Sequence, residues 1–149
     1  MRKRGIAFEP HLYSYKEHGG TSHSATELGV PEHTVIKTLV METDDREPII
    51  VLMNGDCEVS TKALSRRIGA KSISPCDPAA AQRYTGYQVG GTSPFGTRRT
   101  MRVFVERTIF DLEKIYINGG KRGFLVSLNP LSLRTILPVV EVEVAIQTR

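Results

Sequence analysis

The sequence contains little cysteine, and its two thiols, Cys57 and Cys76, do not form a CxxC pair. This argues against a disulfide framework or a cysteine-based zinc site, and it fits a reducing compartment. No apolar run approaches the roughly 20 residues that a membrane-spanning helix needs. The basic residues at positions 2–4 are not followed by the apolar segment of a signal peptide. We therefore expect a cytoplasmic protein that does not insert into membranes.

The composition is that of an ordinary globular protein. Of 149 residues, 40% are hydrophobic and 24% are charged, which argues against disordered and fibrous classes. A chain of this length buries enough apolar surface to fold as one domain, and no linker or repeat divides residues 1–149. The formal net charge of +4 weakly favours a polyanionic partner such as nucleic acid.

The pattern of apolar and turn-forming residues predicts an α+β fold with a curved, barrel-like mixed sheet and surrounding helices. Ser60 is the expected N-cap of one helix, which ends at Gly69, and Asp77 followed by Pro78 is the expected start of another. Strands are predicted at 33–41, 47–53, 71–74, 102–106, 114–117, 123–128 and 139–146, and helices at 59–68, 79–84 and 129–137.

Lys37 is the most informative single residue. Strand alternation places it on one face with Val35, Leu39 and Met41, so a charged side chain has apolar neighbours. Such a lysine either lies in a pocket, where it meets an anionic partner, or protects an exposed strand edge against aggregation. The local pattern alone leaves both interpretations open.

The glycine-rich segment 85–96 is the second candidate feature. Glycines let a backbone approach a ligand and direct N–H groups at it, although a tight connection between elements uses them as well. The segment has neither the phosphate-loop nor the dinucleotide-binding spacing, and it misses the GxSxG pattern by one residue. Because no histidine follows His33, a catalytic triad built on Ser93 is not supported. We expect a Cβ added at Gly91 to enter the ligand space.

The histidines and the basic pairs have less specific interpretations. His18 and His23 lack the glutamate of an HExxH motif, so we expect solvated or capping histidines and predict neither a metal nor a cofactor. The exposed basic pairs next to the glycine-rich turns would suit a phosphate backbone. These are Arg98 with Arg99, and Lys121 with Arg122.

Several segments, taken in order and at their spacing, resemble the YbaK family, which shares its fold with the editing domain of bacterial prolyl-tRNA synthetases. The resemblance covers nearly the whole chain. It rests on Tyr13-Ser-Tyr-Lys-Glu-His18, Val35-Ile-Lys-Thr-Leu39, Gly69-Ala-Lys-Ser72, Asp77-Pro78, the segment 85–96 and Ile115-Tyr-Ile-Asn-Gly-Gly-Lys-Arg-Gly123.

The resemblance implies hydrolysis of the ester that joins an amino acid to the 3′ end of tRNA, by water or by a group of the substrate itself. It implies that Lys37 is the catalytic residue of the pocket and that Tyr15 faces the same site. The partners it implies are the tRNA acceptor end, contacted by the two basic pairs, and prolyl-tRNA synthetase or another synthetase. The remaining residues assigned to substrate binding are Gly90, Gly91, Thr92, Ser93, Pro94, Gly119 and Gly120.

Leu125 departs from the family pattern. Cysteine-specific members have Gly-Leu-Asp-Ile-Glu-Leu where this chain has Gly-Phe-Leu-Val-Ser-Leu, so Leu125 stands at the aspartate position. Loss of that acceptor predicts altered selection, with alanine or another small residue as the amino acid removed. It also leaves room for a non-catalytic module of the same fold that binds tRNA or oligonucleotide or acts as a regulator. A further alternative, an unrelated α+β domain that binds small molecules, requires the ordered matches to be coincidence.

Overall fold

The computed structural model describes residues 7–147. Short 3-10 turns occupy Glu32–Thr34 and Arg107–Asp111. The helices are α1 (Gly20–Leu28), α2 (Thr61–Ile68), α3 (Pro78–Thr85) and α4 (Ser132–Ile136). The strands are β1 (Glu9–Leu12), β2 (Val35–Thr43), β3 (Pro48–Asn54), β4 (Cys57–Val59), β5 (Ile73–Pro75), β6 (Arg102–Glu106), β7 (Ile115–Lys121), β8 (Phe124–Leu128), β9 (Val139–Val142) and β10 (Ala145–Gln147).

One large mixed sheet organises the fold. Its strands follow the order β1-β8-β7-β2-β3-β6-β9, and β5 adds to β2. The β2–β3, β7–β8 and β1–β8 pairs are antiparallel, whereas β2–β7, β3–β6 and β6–β9 are parallel. β10 and β4 form a separate two-stranded sheet. The predicted α+β class, with a mixed sheet and flanking helices, is confirmed.

β3 is an internal strand of the sheet and is buried on both faces. Ile50 and Leu52 pack into a cluster with residues of β6, β7, β8 and α4. Ile49, Val51 and Met53 pack on the opposite face, against residues of α2, β6 and the chain around β9. Each fully buried aliphatic side chain contributes about 1.5–3 kcal/mol relative to an exposed one, so this strand anchors the sheet.

The helix boundaries follow local sequence signals. Ser60 Oγ accepts a hydrogen bond from the Ala63 amide, 3.1 Å away, and Asp77 Oδ1 accepts one from the Ala80 amide at 2.8 Å. Gly69 ends α2 with a φ of +79°, a conformation that favours glycine. These two helix starts and the end of α2 lie where the sequence predicts them. None of the described helices is long and apolar enough to traverse a bilayer.

The prediction of a single strand over 139–146 is wrong. β9 pairs with β6, whereas β10 leaves the large sheet and pairs with β4. At the break, the buried Glu106 accepts a hydrogen bond through Oε1 from the Val144 amide, 2.7 Å away, and Val144 packs into the core. The helix predicted over 129–137 is shorter, because Asn129 Oδ1 caps a turn at the Leu131 amide before α4 begins.

Candidate active site

An interruption in the large sheet opens a cavity beside β2. On the edge of β2 that faces away from β3, β7 pairs with Val35 and Ile36 and β5 pairs with Met41–Thr43. Within the described chain no strand covers the stretch Lys37–Val40, which we call the gap. A cavity of 530 Å³ lies against the gap and extends to the segment before α1, the β5–α3 junction and the glycine-rich loop.

Lys37 lies in the gap and lines the cavity. Its Nζ donates a hydrogen bond to the main-chain carbonyl oxygen of Cys57, 2.7 Å away, and the side chain is partly buried. Among the described residues no carboxylate forms a salt bridge with it. A neutral carbonyl orients the ammonium without neutralising it, so the positive charge is available to a ligand.

The β3–β4 turn holds that carbonyl in place. His33 Nδ1 lies 2.8 Å from Asp56 Oδ1, and the Cys57 thiol donates to the same oxygen at 3.4 Å. Burial opposes ionisation of Asp56, but the hydrogen bonds from His33 and Cys57 outweigh it and hold the pKa of the carboxyl below its usual range. Burial, together with the hydrogen bond to Asp56, raises the pKa of the Cys57 thiol to about 11.

His33, Asp56 and Cys57 also bring three potential metal-ligand atoms within 4.8 Å of one another. The hydrogen bonds around the imidazole argue for a different role. Asn54 Nδ2, a donor, lies 3.4 Å from His33 Nε2 and also donates to the His33 carbonyl oxygen. This assigns the lone pair to Nε2 and the proton to Nδ1, where it is donated to Asp56. The group is therefore arranged as a hydrogen-bonded pair that braces the turn.

The glycine-rich loop closes one wall of the cavity. Gly90 has a φ of +87°, and the ring of Tyr15 lies directly over it. Asn118 Nδ2 donates to the Gly90 carbonyl oxygen and to that of Lys121, both at 3.2 Å. Asn118 thus joins the glycine-rich loop to the β7–β8 turn.

The structure brings only some of the predicted binding residues to the cavity. Tyr15, Gly90 and Thr92 line it together with Lys37, whereas five others do not. Ser93 is fully buried, and its Oγ accepts a hydrogen bond from the Phe95 amide. The residues that do not line the cavity are Gly91, Ser93, Pro94, Gly119 and Gly120.

The expectation for Gly91 is wrong. A Cβ at this position would lie 2.8 Å from the main chain of Lys121 and Arg122, and Gly91 itself does not line the cavity. The absence of a side chain therefore permits close packing of the loop on the β7–β8 turn, and does not make room for a ligand.

The four basic residues assigned to tRNA are exposed and occupy different places. Arg122 lies at the cavity: its guanidinium stacks on the Tyr15 ring, 4.9 Å from the centroid, and its Nε donates to the Val89 carbonyl oxygen. Lys121 lies over Phe124 nearby. Arg98 and Arg99 lie against the end of α3, where their amides donate to the Thr85 and Tyr84 carbonyl oxygens and Arg99 lies over the Tyr84 ring, and neither lines the cavity.

Comparison with known proteins identifies the protein family. The profile of the aminoacyl-tRNA editing domain matches residues 17–136. The chain belongs to the aminoacyl-tRNA editing domain family. Members of this family are deacylases that act on mischarged tRNA, and the resemblance to the YbaK and prolyl-tRNA synthetase editing domains is confirmed.

Relatives of the editing domain occur both as short proteins and inside large enzymes. EbsC of Enterococcus faecalis, named as a candidate Cys-tRNA(Pro)/Cys-tRNA(Cys) deacylase, is 26% identical over 136 residues, which are 86% of this chain and 83% of EbsC. Proline–tRNA ligase of Listeria monocytogenes is 30% identical over 104 residues, which are 69% of this chain but only 18% of the ligase. The solved structure of hypothetical protein APE2540 superposes with a TM-score of 0.89 at 22% identity, covering 97% of this chain and 95% of that one.

Leu125 gives this editing domain an apolar wall. Only 4% of the residue is exposed, and it packs with Ala25 and Val35 on the side of the cavity formed by α1 and β2. This part of the cavity wall therefore presents a hydrocarbon surface.

Several lining residues were not found by sequence reasoning. His23, interpreted as solvated or capping, donates a hydrogen bond from Nε2 to the Ser14 carbonyl oxygen, 2.7 Å away, and also lines the cavity. Cys76, Thr38 and Asn118 line it as well. The buried Thr38 hydroxyl has no hydrogen-bond partner within residues 7–147. Asn118 and Thr38 stand inside segments that carry the family resemblance, which is the one signal that could have found them.

Proposed function

We propose that this chain is a trans-acting aminoacyl-tRNA deacylase that hydrolyses the ester of tRNA mischarged with a small amino acid. Cys-tRNA(Pro) and tRNA charged with alanine are the substrates to consider first. The observation that carries the proposal is the Lys37 ammonium, oriented by the Cys57 carbonyl and unpaired with any described carboxylate, inside the cavity of an editing domain.

The reaction requires stabilisation of a developing oxyanion. When water or a group of the substrate attacks the ester carbonyl carbon, negative charge builds on the carbonyl oxygen. The bond to the ribose oxygen then breaks, and that oxygen takes up a proton. We assign stabilisation of this oxyanion to Lys37, because a fixed positive charge in a partly buried site lowers the energy of the oxyanion.

Neither Ser93 nor Cys76 is an activated nucleophile of the cavity. Ser93 is buried and does not line it. The Cys76 thiol lines the cavity, but burial raises its pKa to about 11, so it is protonated at neutral pH. This supports attack by water or by the substrate itself.

The apolar wall at Leu125 supports a small, uncharged side chain on the amino acid. The 3′ end of tRNA enters on the Arg122 side, and Arg98, Arg99 and Lys121 supply further positive charge along the acceptor end. We propose that the chain acts as one editing domain in the cytoplasm and that prolyl-tRNA synthetase or another synthetase supplies the charged tRNA.

A deacylation time course tests this function. The panel contains Cys-tRNA(Pro), Ala-tRNA(Pro) and correctly charged Pro-tRNA(Pro), with wild type beside Lys37→Ala and the exposed control Lys62→Ala. We expect release of one mischarged amino acid, a loss of about a hundredfold or more in Lys37→Ala, and no change in Lys62→Ala. No release from any charged tRNA, with tRNA binding intact, would favour the non-catalytic tRNA-binding module instead.

A further inference from the structure

The gap exposes a short stretch of strand edge to the cavity. β2 is covered on one side by β3 along Ile36–Glu42, but on the other side pairing with β7 ends at Ile36 and pairing with β5 begins at Met41. In a continuous sheet, main-chain groups between these points would bond to a neighbouring strand. Here they face the cavity, which Lys37, Thr38 and Leu39 line.

Alternation along β2 identifies which main-chain groups these are. The Thr43 amide donates to the Glu47 carbonyl oxygen on the β3 side, so odd-numbered residues direct their N–H and C=O groups towards β3. The Val40 carbonyl oxygen accepts from the Cys76 amide on the opposite side. Thr38 has the same parity as Val40 and therefore directs both its N–H and its C=O into the gap.

An aminoacyl group can form hydrogen bonds with both the N–H and the C=O of Thr38. In an extended conformation, the amino nitrogen and carbonyl oxygen of one residue point to the same side, as they do in a strand. We propose that the aminoacyl group of the substrate occupies the gap as a one-residue antiparallel strand, with its carbonyl oxygen on the Thr38 N–H and its α-ammonium on the Thr38 C=O. This rests on the proposed deacylase function and names how that site holds its substrate.

The antiparallel direction is consistent with the charges around the gap. It places the substrate carbonyl at the Lys37 end of Thr38 and the ammonium at the Leu39 end, so the two cations are kept apart. The ester then continues towards β7, where Asn118, Gly90 and Arg122 lie. Among the described lining residues the one carboxylate is the exposed Glu17, so a main-chain carbonyl is the acceptor available within the gap.

Two functional consequences follow. The Thr38 N–H becomes a second donor to the oxyanion beside Lys37, and as a main-chain group it is already fixed by the sheet. The free α-amino group becomes a recognition element, which predicts selection for an aminoacyl ester over a simple acyl ester.

The test uses the full chain labelled with ¹⁵N at threonine and leucine and two stable analogues of the tRNA 3′ end. One is 3′-alanylamino-3′-deoxyadenosine, and the matched analogue carries a propanoyl group, which lacks only the amine. We expect the Thr38 amide resonance to shift and to gain protection from solvent exchange with the alanyl analogue. The Leu39 amide, which faces β3, is the internal control and should keep its protection. The propanoyl analogue should bind at least about tenfold more weakly, since a hydrogen bond to a charged group is lost.

Binding that leaves the exchange of the Thr38 amide unchanged, equal affinity for the two analogues, or no binding of either would each overturn the proposal. The deacylation panel run in parallel separates the two claims. If hydrolysis depends on Lys37 while Thr38 is unaffected by the analogues, the deacylase stands and the strand-edge subsite fails. If no charged tRNA is hydrolysed, the proposed function fails, whatever the analogues do.

Discussion

The phenol oxygen of Tyr15 lies 2.5 Å from the position that a Cβ on Gly90 would occupy. Two segments that are 75 residues apart in the chain are therefore in direct contact at the cavity wall. Because Arg122 stacks on the same ring, Tyr15 couples the glycine-rich loop to the basic edge of the site.

Gly90→Ala should reduce both stability and deacylation. The substitution forces a non-glycine residue to a φ of +87° and moves the Tyr15 ring. Gly69→Ala is the matched control, since its φ is +79° and no atom lies within 4 Å of the added Cβ. We expect the control to lose about 1–2 kcal/mol in the free energy of unfolding and Gly90→Ala to lose roughly 1–3 kcal/mol more from the clash. Equal losses in urea titrations would show that the ring moves aside freely.

Asp56 should make stability depend on acidic pH. Its pKa is lower in the folded chain than the ordinary value of 3.8. A depressed folded pKa stabilises the chain at pH values above the unfolded pKa, and this contribution is lost as the pH falls through the folded pKa. The difference in unfolding free energy between wild type and Asp56→Asn should therefore be constant above about pH 5 and shrink below pH 3.8. A difference that does not change with pH would mean that the carboxylate is not favoured by its neighbours.

The two thiols should react slowly with iodoacetamide at neutral pH. Burial raises the pKa of each to about 11, and only the thiolate is an effective nucleophile. Cys76 lines the cavity and is partly exposed, whereas Cys57 is 5% exposed. Mass spectrometry of the alkylated chain should detect Cys76 first, with Cys57 modified only on unfolding. Rapid labelling of Cys57 in the folded state would contradict the hydrogen-bonded turn.

Arg122→Ala should weaken tRNA binding and lower the slope of log affinity against log salt by about 1, the value for one lost phosphate contact. Arg66→Ala is the control, because Arg66 is exposed on α2 and does not line the cavity. Binding measured between about 50 and 200 mM salt distinguishes the two variants. An identical slope in both would place the tRNA on another face.

Local signals in the sequence predict local structure well. Ser60 and Asp77 cap α2 and α3 because their side chains need only reach an amide three residues ahead. α1 gives no comparable signal: its sequence is mostly small and polar, it has no side-chain cap, and only Ser24 and Ala25 are buried. The break between β9 and β10 depends on Glu106, which is 38 residues from Val144, so no local pattern predicts it.

The candidate site likewise combines features that the local sequence predicts with features that depend on distant parts of the chain. Alternation predicts apolar neighbours for Lys37, and the family resemblance assigns it a role. Each of the two local interpretations, a lysine in a pocket and a lysine at an exposed strand edge, agrees with part of the structure. Its strand is internal to the sheet, yet its edge is open where β7 stops and β5 has not begun. That opening results from pairing between distant strands, and so does the carbonyl of Cys57 that orients the ammonium. The sequence of β2 alone therefore predicts neither the opening nor the position of this carbonyl.

With the aminoacyl group bound in the gap as proposed, the interrupted edge would also select ligands by length. Lys37–Val40 spans about 13 Å of strand, bounded by β7 at one end and by β5 at the other. The Cys76 amide already bonds to the Val40 carbonyl oxygen, so Thr38 is the one residue of the gap whose two main-chain groups are left for a ligand. A nascent peptide attached to tRNA would extend from its amino end towards Pro75 and Cys76. An editing enzyme built on such a sheet would therefore spare peptidyl-tRNA during translation without needing a separate element to reject it.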